Sequence, residues 1–185
     1  MNNIIVSAHC LLNVASKVVL YNQEEMDSEE KLRLRFLKEA IEKGVQFIQL
    51  PCPEFTLYGA NRWGHVSNQF DNPFFRNHCR NLLNPILDEI EEYINHPERF
   101  RILGIIGIDG SPSCGVDYTC TGNCYGSFGG RKDLKEILSG IHLVNKNGIF
   151  IDELKKMLKE REITLPIIGL FANEPEKCME LLKGL

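Results

Sequence analysis

The 185-residue chain is long enough to bury a core without disulfide staples and short enough to form one domain over 1–185. Its 43% hydrophobic and 25% charged residues are those of an ordinary globular protein. A net charge of −4 without a basic stripe excludes a nucleic-acid footprint, and no run approaches the ~20 apolar residues of a membrane span. The opening MNNIIVSAHC has neither a basic n-region nor a long apolar h-region. The chain is therefore expected in the cytoplasm, with no nucleic acid and no membrane among its partners; the oligomeric state is open, a homodimer included.

Taken in order, Asn2–Ala8 is nearly all apolar, as a strand covered on both faces would be, and it ends just before Cys10. The following LLNVASKVVLY reads as a short helix or an ordered loop. Asp27, Ser28, Glu29 and Glu30 supply the acidic first turn of a helix over 29–43. Its apolar positions are Leu32, Leu34, Phe36, Leu37, Ala40 and Ile41, and Gly44 closes it. Val45–Leu50 is a second strand, stopped by Pro51-Cys52-Pro53-Glu54. Residues 55–73 read as a long ordered loop carrying Arg62, Trp63 and His65, with the Trp63 ring available to stack on a planar ligand. Phe74–Tyr93 is a helix in which Pro85 predicts a bend near Asn84 or a break into two.

Phe100–Ile108 is the third strand and 116–130 a glycine-rich loop. A short helix is expected within 131–144, an amphipathic helix over 149–161, a fourth strand over Leu165–Phe171 and a final helix over 174–182. Strands alternating with helices predict an α/β fold: a mostly parallel, Rossmann-like sheet of about four to five strands flanked by helices.

Three of these strands run into cysteines: Cys10, Cys52 and Cys114. The carboxyl ends of parallel strands share one edge, where such folds place ligands, so the three thiols are expected to converge on a metal or iron–sulfur site. Glu54 stands two residues after Cys52 as a candidate general acid or base, and Ser111, Ser113 and Asp109 offer hydrogen bonds beside Cys114. His9 and His65 bring imidazoles that titrate near neutrality. Seven cysteines without an export signal favour metal or catalytic use over disulfides, while Cys79 and Cys178 fall inside helical patterns and read as core. Spacing alone leaves a second grouping open. Cys114, Cys120 and Cys124 form a C-x5-C-x3-C cluster that suits a non-catalytic zinc or other metal site, and an exposed member would suit a thiol-based sulfur carrier. Glycine-rich nucleotide motifs are absent.

Ser7-Ala8-His9-Cys10-Leu11-Leu12, Pro51-Cys52-Pro53-Glu54 and Ser111-Pro112-Ser113-Cys114-Gly115 resemble, in order, three motifs of the thiouracil desulfurase family. The resemblance implies a [4Fe-4S] cluster held by Cys10, Cys52 and Cys114, whose open iron takes sulfur from a thiocarbonyl substrate and leaves the oxo product and sulfide. It makes Glu54 and Ser111 candidates for proton transfer and substrate contact; the residues themselves, apart from the resemblance, add Ser113, Asp109, Arg62 and Trp63 as candidate substrate contacts. Asn13–Tyr21 and Phe55–Trp63 depart from the family pattern where substrate would be held. The expected partner is accordingly a small thiolated molecule not limited to thiouracil.

Overall fold

The computed structural model describes residues 1–185. The chain runs through β1 (Asn2–Ser7), α1 (His9–Leu12), α2 (Gln23–Glu42), β2 (Gln46–Gln49), α3 (Pro53–Tyr58), α4 (Ser67–Phe70), α5 (Pro73–Ile94) and β3 (Phe100–Ile108). It continues with β4 (Thr119–Thr121), α6 (Leu134–Ser139), β5 (His142–Val144), α7 (Ile149–Glu160), β6 (Ile167–Leu170) and α8 (Pro175–Met179). Short 3-10 turns follow α1 and α8.

Strands β2, β1, β3 and β6 pair in that order, all parallel, so every connection between them crosses over through helices. Consecutive residues Ile4, Ile5 and Val6 of β1, and Ile105 and Ile106 of β3, are buried, as a sheet covered on both faces requires. Phe36 and Ala40 of α2, Leu83, Leu87 and Ile90 of α5, and Leu154 and Leu158 of α7 complete one continuous core with them. The chain moves from β1 outward to β2 and then returns to place β3 on the other side of β1. That reversal opens a crevice at the carboxyl ends of β1 and β3, the usual ligand position of such sheets. Strands β4 and β5 form a separate antiparallel hairpin. No helix is long and apolar enough to cross a membrane.

The α/β class and the flanked parallel sheet agree with the sequence reading, and several local expectations are corrected. Helix α2 starts six residues before position 29, because the Asn22 side chain accepts the Glu25 N–H at 3.4 Å and caps it there. Within α2, Leu34 and Ile41 are exposed and Arg33 is buried in their stead. Its guanidinium donates to the Leu11 carbonyl at 2.7 Å and pairs with Glu30, which lets its apolar stem pack inward. The expected loop over 55–73 contains α3 and α4. Pro53, taken as a strand stop, is also the first residue of α3, where its missing N–H costs nothing. Helix α5 is neither broken nor divided at Pro85. The loop over 116–130 contains β4, and 131–144 divides into α6 and β5.

Helices α5 and α7 are joined by an ion-pair network. Arg76 reaches Asp152 at 2.6 Å, Arg80 reaches Glu153 at 3.3 Å, and Lys156 reaches both carboxylates at 2.8 and 3.1 Å. Burial alone would raise both carboxyl pKa values. Hydrogen bonds from Lys156 and Arg76 to Asp152, and from Arg76, Lys156 and Arg80 to Glu153, outweigh it and hold both below their ordinary values of 3.8 and 4.5. Their stabilisation is complete above those values and drains away as pH falls below them toward the lowered folded values. Glu153→Gln is expected to cost about 2 kcal/mol at pH 7, as loss of charged hydrogen bonds does. Urea titrations at falling pH should show the gap to wild type closing in acid; a constant gap would contradict this origin.

Candidate metal and catalytic site

A cavity of about 470 Å³ lies at the carboxyl edge of the sheet. Segments following all four parallel strands line it: Cys10 after β1, Cys52 and Glu54 after β2, Asp109 to Cys114 after β3, and Phe171 to Asn173 after β6. Lys17, Glu25, Glu29, Arg62, His65 and Cys120 also line it. The strand-end cysteines, 42 and 62 residues apart in sequence, are thus brought to one cavity by the parallel topology. Cys124 does not line it, and Cys79 and Cys178 are buried within helices of the core.

The three thiols act on one another electrically. Burial chiefly pushes Cys10 up to about 12, with Lys17 opposing and the charges of Glu29 and Cys52 adding. Burial raises Cys52 as well, against the Phe55 N–H, which its sulfur accepts at 3.4 Å as the cap of α3. Cys114 is raised well above the ordinary thiol value by burial, then by the charges of Cys10 and Cys52. Burial and one another's charge therefore both oppose ionising these thiols together. Three soft, desolvated sulfur donors fit a soft cationic group such as an iron–sulfur cluster. No three His, Cys, Asp or Glu side chains are gathered closely enough to hold a single metal ion.

Beside the thiols runs a hydrogen-bond chain with a defined direction. The Ser111 hydroxyl oxygen accepts the N–H groups of Cys114 at 3.0 Å and Ser113 at 3.3 Å, which fixes the turn carrying Cys114. Ser113 donates its single hydroxyl proton to Glu54 Oε1 at 2.6 Å. Ser111 is then the donor in its 3.3 Å contact with Ser113. The other Glu54 oxygen faces Arg62 Nε at 3.6 Å. Arg62 is held by the carbonyls of Ser16 at 2.6 Å and Gly59 at 3.2 Å, and only 3% of its side chain is exposed. A buried cation and a hydroxyl donor thus grip the two sides of one carboxyl group.

The remaining sequence candidates are placed unequally. Asp109 lines the cavity, but its Oδ1 is occupied by the N–H groups of Val116, Asp117 and Tyr118 at 2.7, 2.9 and 3.2 Å. It organises the loop after Cys114. Trp63 stands outside the cavity, 73% exposed, with its ring tilted against Phe128. His65 lines the cavity, stacked on Tyr58, and burial lowers its pKa; His9 does not line it. Among the residues lining the cavity, His65 Nδ1 is buried without a hydrogen-bond partner, Arg62 Nε has only the Glu54 carboxylate at 3.6 Å, and Asp109 Oδ2 packs against Gly169 of β6. Sequence reasoning left Lys17 out of the cavity wall, because it lies in a segment with no periodicity. Of the second cysteine grouping, Cys114 and Cys120 line the cavity and Cys124 does not.

No protein-family model matches the chain, and no solved structure matches it. It is 36% identical over 69 residues to a protein of Methanocaldococcus jannaschii described as uncharacterized protein MJ0003. The match covers 37% of this chain and 42% of that protein, so the chain spans less than half the length of this relative.

Proposed function

We propose that the protein is an iron–sulfur-dependent desulfidase that hydrolyses a small thiocarbonyl or thiolated heterocyclic compound, giving the oxo compound and hydrogen sulfide. The observation that carries the reading is the lining of one cavity by Cys10, Cys52 and Cys114 together with the Glu54–Ser113 pair. Water supplies the oxygen and both protons of the released sulfide, so no external oxidant or reductant is consumed. A bound cluster supplies a soft Lewis acid for the substrate sulfur.

The chain's own groups do the rest. Glu54, held between Ser113 and Arg62, exchanges a proton with substrate or water at its carboxyl oxygens, and the Ser111–Ser113 chain keeps that carboxyl oriented. His65 Nδ1 offers the substrate an unpaired polar atom, while Arg62 stays on the Glu54 carboxylate. Leu170 and Phe171 supply apolar wall beside them and limit stray water. The test is sulfide release from a panel of thiolated bases and thioamides by anaerobically reconstituted protein. Glu54→Gln is expected to keep its iron and lose about 10²–10⁴-fold in kcat/KM, the usual range for a lost general acid or base. Full activity in that variant would remove Glu54 from the chemistry, and no sulfide from any substrate by the iron-loaded wild type would count against the desulfidase reading.

A further inference from the structure

The charges around the cavity are unequally matched. Two cations, Lys17 and Arg62, line it with four carboxylates, Glu25, Glu29, Glu54 and Asp109. Both cations are already engaged by the chain. Lys17 pairs with Glu29. Arg62, 3% exposed, donates to the carbonyls of Ser16 and Gly59 and faces Glu54 at 3.6 Å. Burial lowers the pKa of His65 from 6.5, so its imidazole adds no positive charge at pH 7. Glu25, in the first turn of α2, and Asp109 have no cationic partner.

The backbone offers an anion no better reception. Turns after parallel strands and helix N-termini hold anions where their N–H groups are free. Here the turn after β3 spends every N–H from Asp109 to Tyr118 on the chain itself. Asp109 donates to the Leu170 carbonyl at 3.0 Å, Gly110 to Tyr118 at 2.9 Å, Ser111 to Ile108 at 3.3 Å and Gly115 to Ser111 at 3.2 Å. Ser113 and Cys114 donate to the Ser111 hydroxyl oxygen. The convergent N–H groups of Val116, Asp117 and Tyr118 close on Asp109 Oδ1, so the place an external anion would take holds the chain's own carboxylate. The N-terminus of α7 is closed as well: Ile149 donates to the Pro112 carbonyl at 3.1 Å, and Phe150 and Ile151 to Ser113 at 3.0 and 3.2 Å.

We infer that the cavity takes thiolated compounds that carry no negative charge and rejects their phosphorylated and carboxylated counterparts. The thiolated group rests on the desulfidase reading; the charge preference rests on the cavity wall. An anionic substituent would give up water for a space with unmatched carboxylates and gain neither a free cation nor a free N–H of the β3 turn, whereas a neutral or amine-bearing one meets no such cost.

The test compares thiouridine with its monophosphate and thiouracil with its carboxylic acid, pairs that differ in the anionic group alone. Iron-loaded protein is expected to release sulfide from the neutral member with kcat/KM at least about tenfold higher, the lower end of what like charges cost. Calorimetry with the sulfur-free counterparts, uridine and its monophosphate, should show the same preference without turnover. Glu25→Lys should narrow both gaps several-fold, and gaps that do not move would overturn their charge origin. Equal or tighter binding of the anionic members would overturn the inference whether or not sulfide is released. Absence of sulfide from every compound, with the binding preference intact, would defeat the desulfidase reading and leave the charge preference standing. No binding of any of these compounds would count against both.

Discussion

Cys114→Ala is expected to purify folded and to retain no iron–sulfur cluster after reconstitution, with the same result for Cys10→Ala and Cys52→Ala. The prediction separates the thiol from the backbone that carries it. Around Cys114 the turn is held by main-chain bonds that alanine preserves: its N–H donates to the Ser111 hydroxyl oxygen at 3.0 Å and its carbonyl accepts from Ile108 at 2.9 Å. The lost sulfur leaves only a small gap in a packed wall, costing on the order of 1 kcal/mol. Cluster assembly, by contrast, loses one of three donors that no other strand end supplies. Cys79→Ala and Cys178→Ala delete equally buried thiols of the helical core and should keep a full complement of iron. Iron analysis with absorption spectra reads the difference, and a full cluster in Cys10→Ala or Cys114→Ala would remove the strand-end site.

Asp109→Ala is expected to lower stability by about 3 kcal/mol, because one carboxylate oxygen satisfies three successive main-chain N–H groups. These amides open the loop after Gly115, whose carbonyl in turn accepts the Gly148 N–H before α7. The carboxylate therefore ties the cysteine-bearing turn to the helix layer. Its position depends on Gly169 of β6, where a Cβ would overlap the Asp109 carboxyl group. Gly169→Ala should accordingly destabilise by about 1–3 kcal/mol, as overpacking does. Combining it with Asp109→Ala should cost less than the sum, since the overlap disappears with the carboxylate. Urea unfolding of the four proteins measures the coupling; strict additivity would show that Asp109 and Gly169 do not share this contact.

The sheet was legible because its strands are short apolar runs cut off by proline, glycine and aspartate, and parallel strands buried on both faces leave that trace. The same reasoning placed Cys10, Cys52 and Cys114 at one edge without knowing the strand order. Residues whose role depends on a distant partner left no such trace. Arg33 sits in LRLRF as an ordinary surface charge until the Leu11 carbonyl, 22 positions away, meets it. Cys120 belongs to a three-residue strand whose pairing with β5 spans an intervening helix, and three residues are too few to show alternation. Pro53 was read only as an end, although proline that terminates a strand is equally suited to begin a helix. Trp63, singled out for its ring, lies outside the cavity, while Arg62 beside it turns inward to Glu54.

Iron and acid-labile sulfide content of protein purified without oxygen, with absorption and reduced-state EPR spectra, tests the central claim most directly. The account predicts about four of each per chain, as a [4Fe-4S] cluster requires. Protein that takes up no iron even after anaerobic reconstitution, with Cys10, Cys52 and Cys114 intact and reduced, would contradict it.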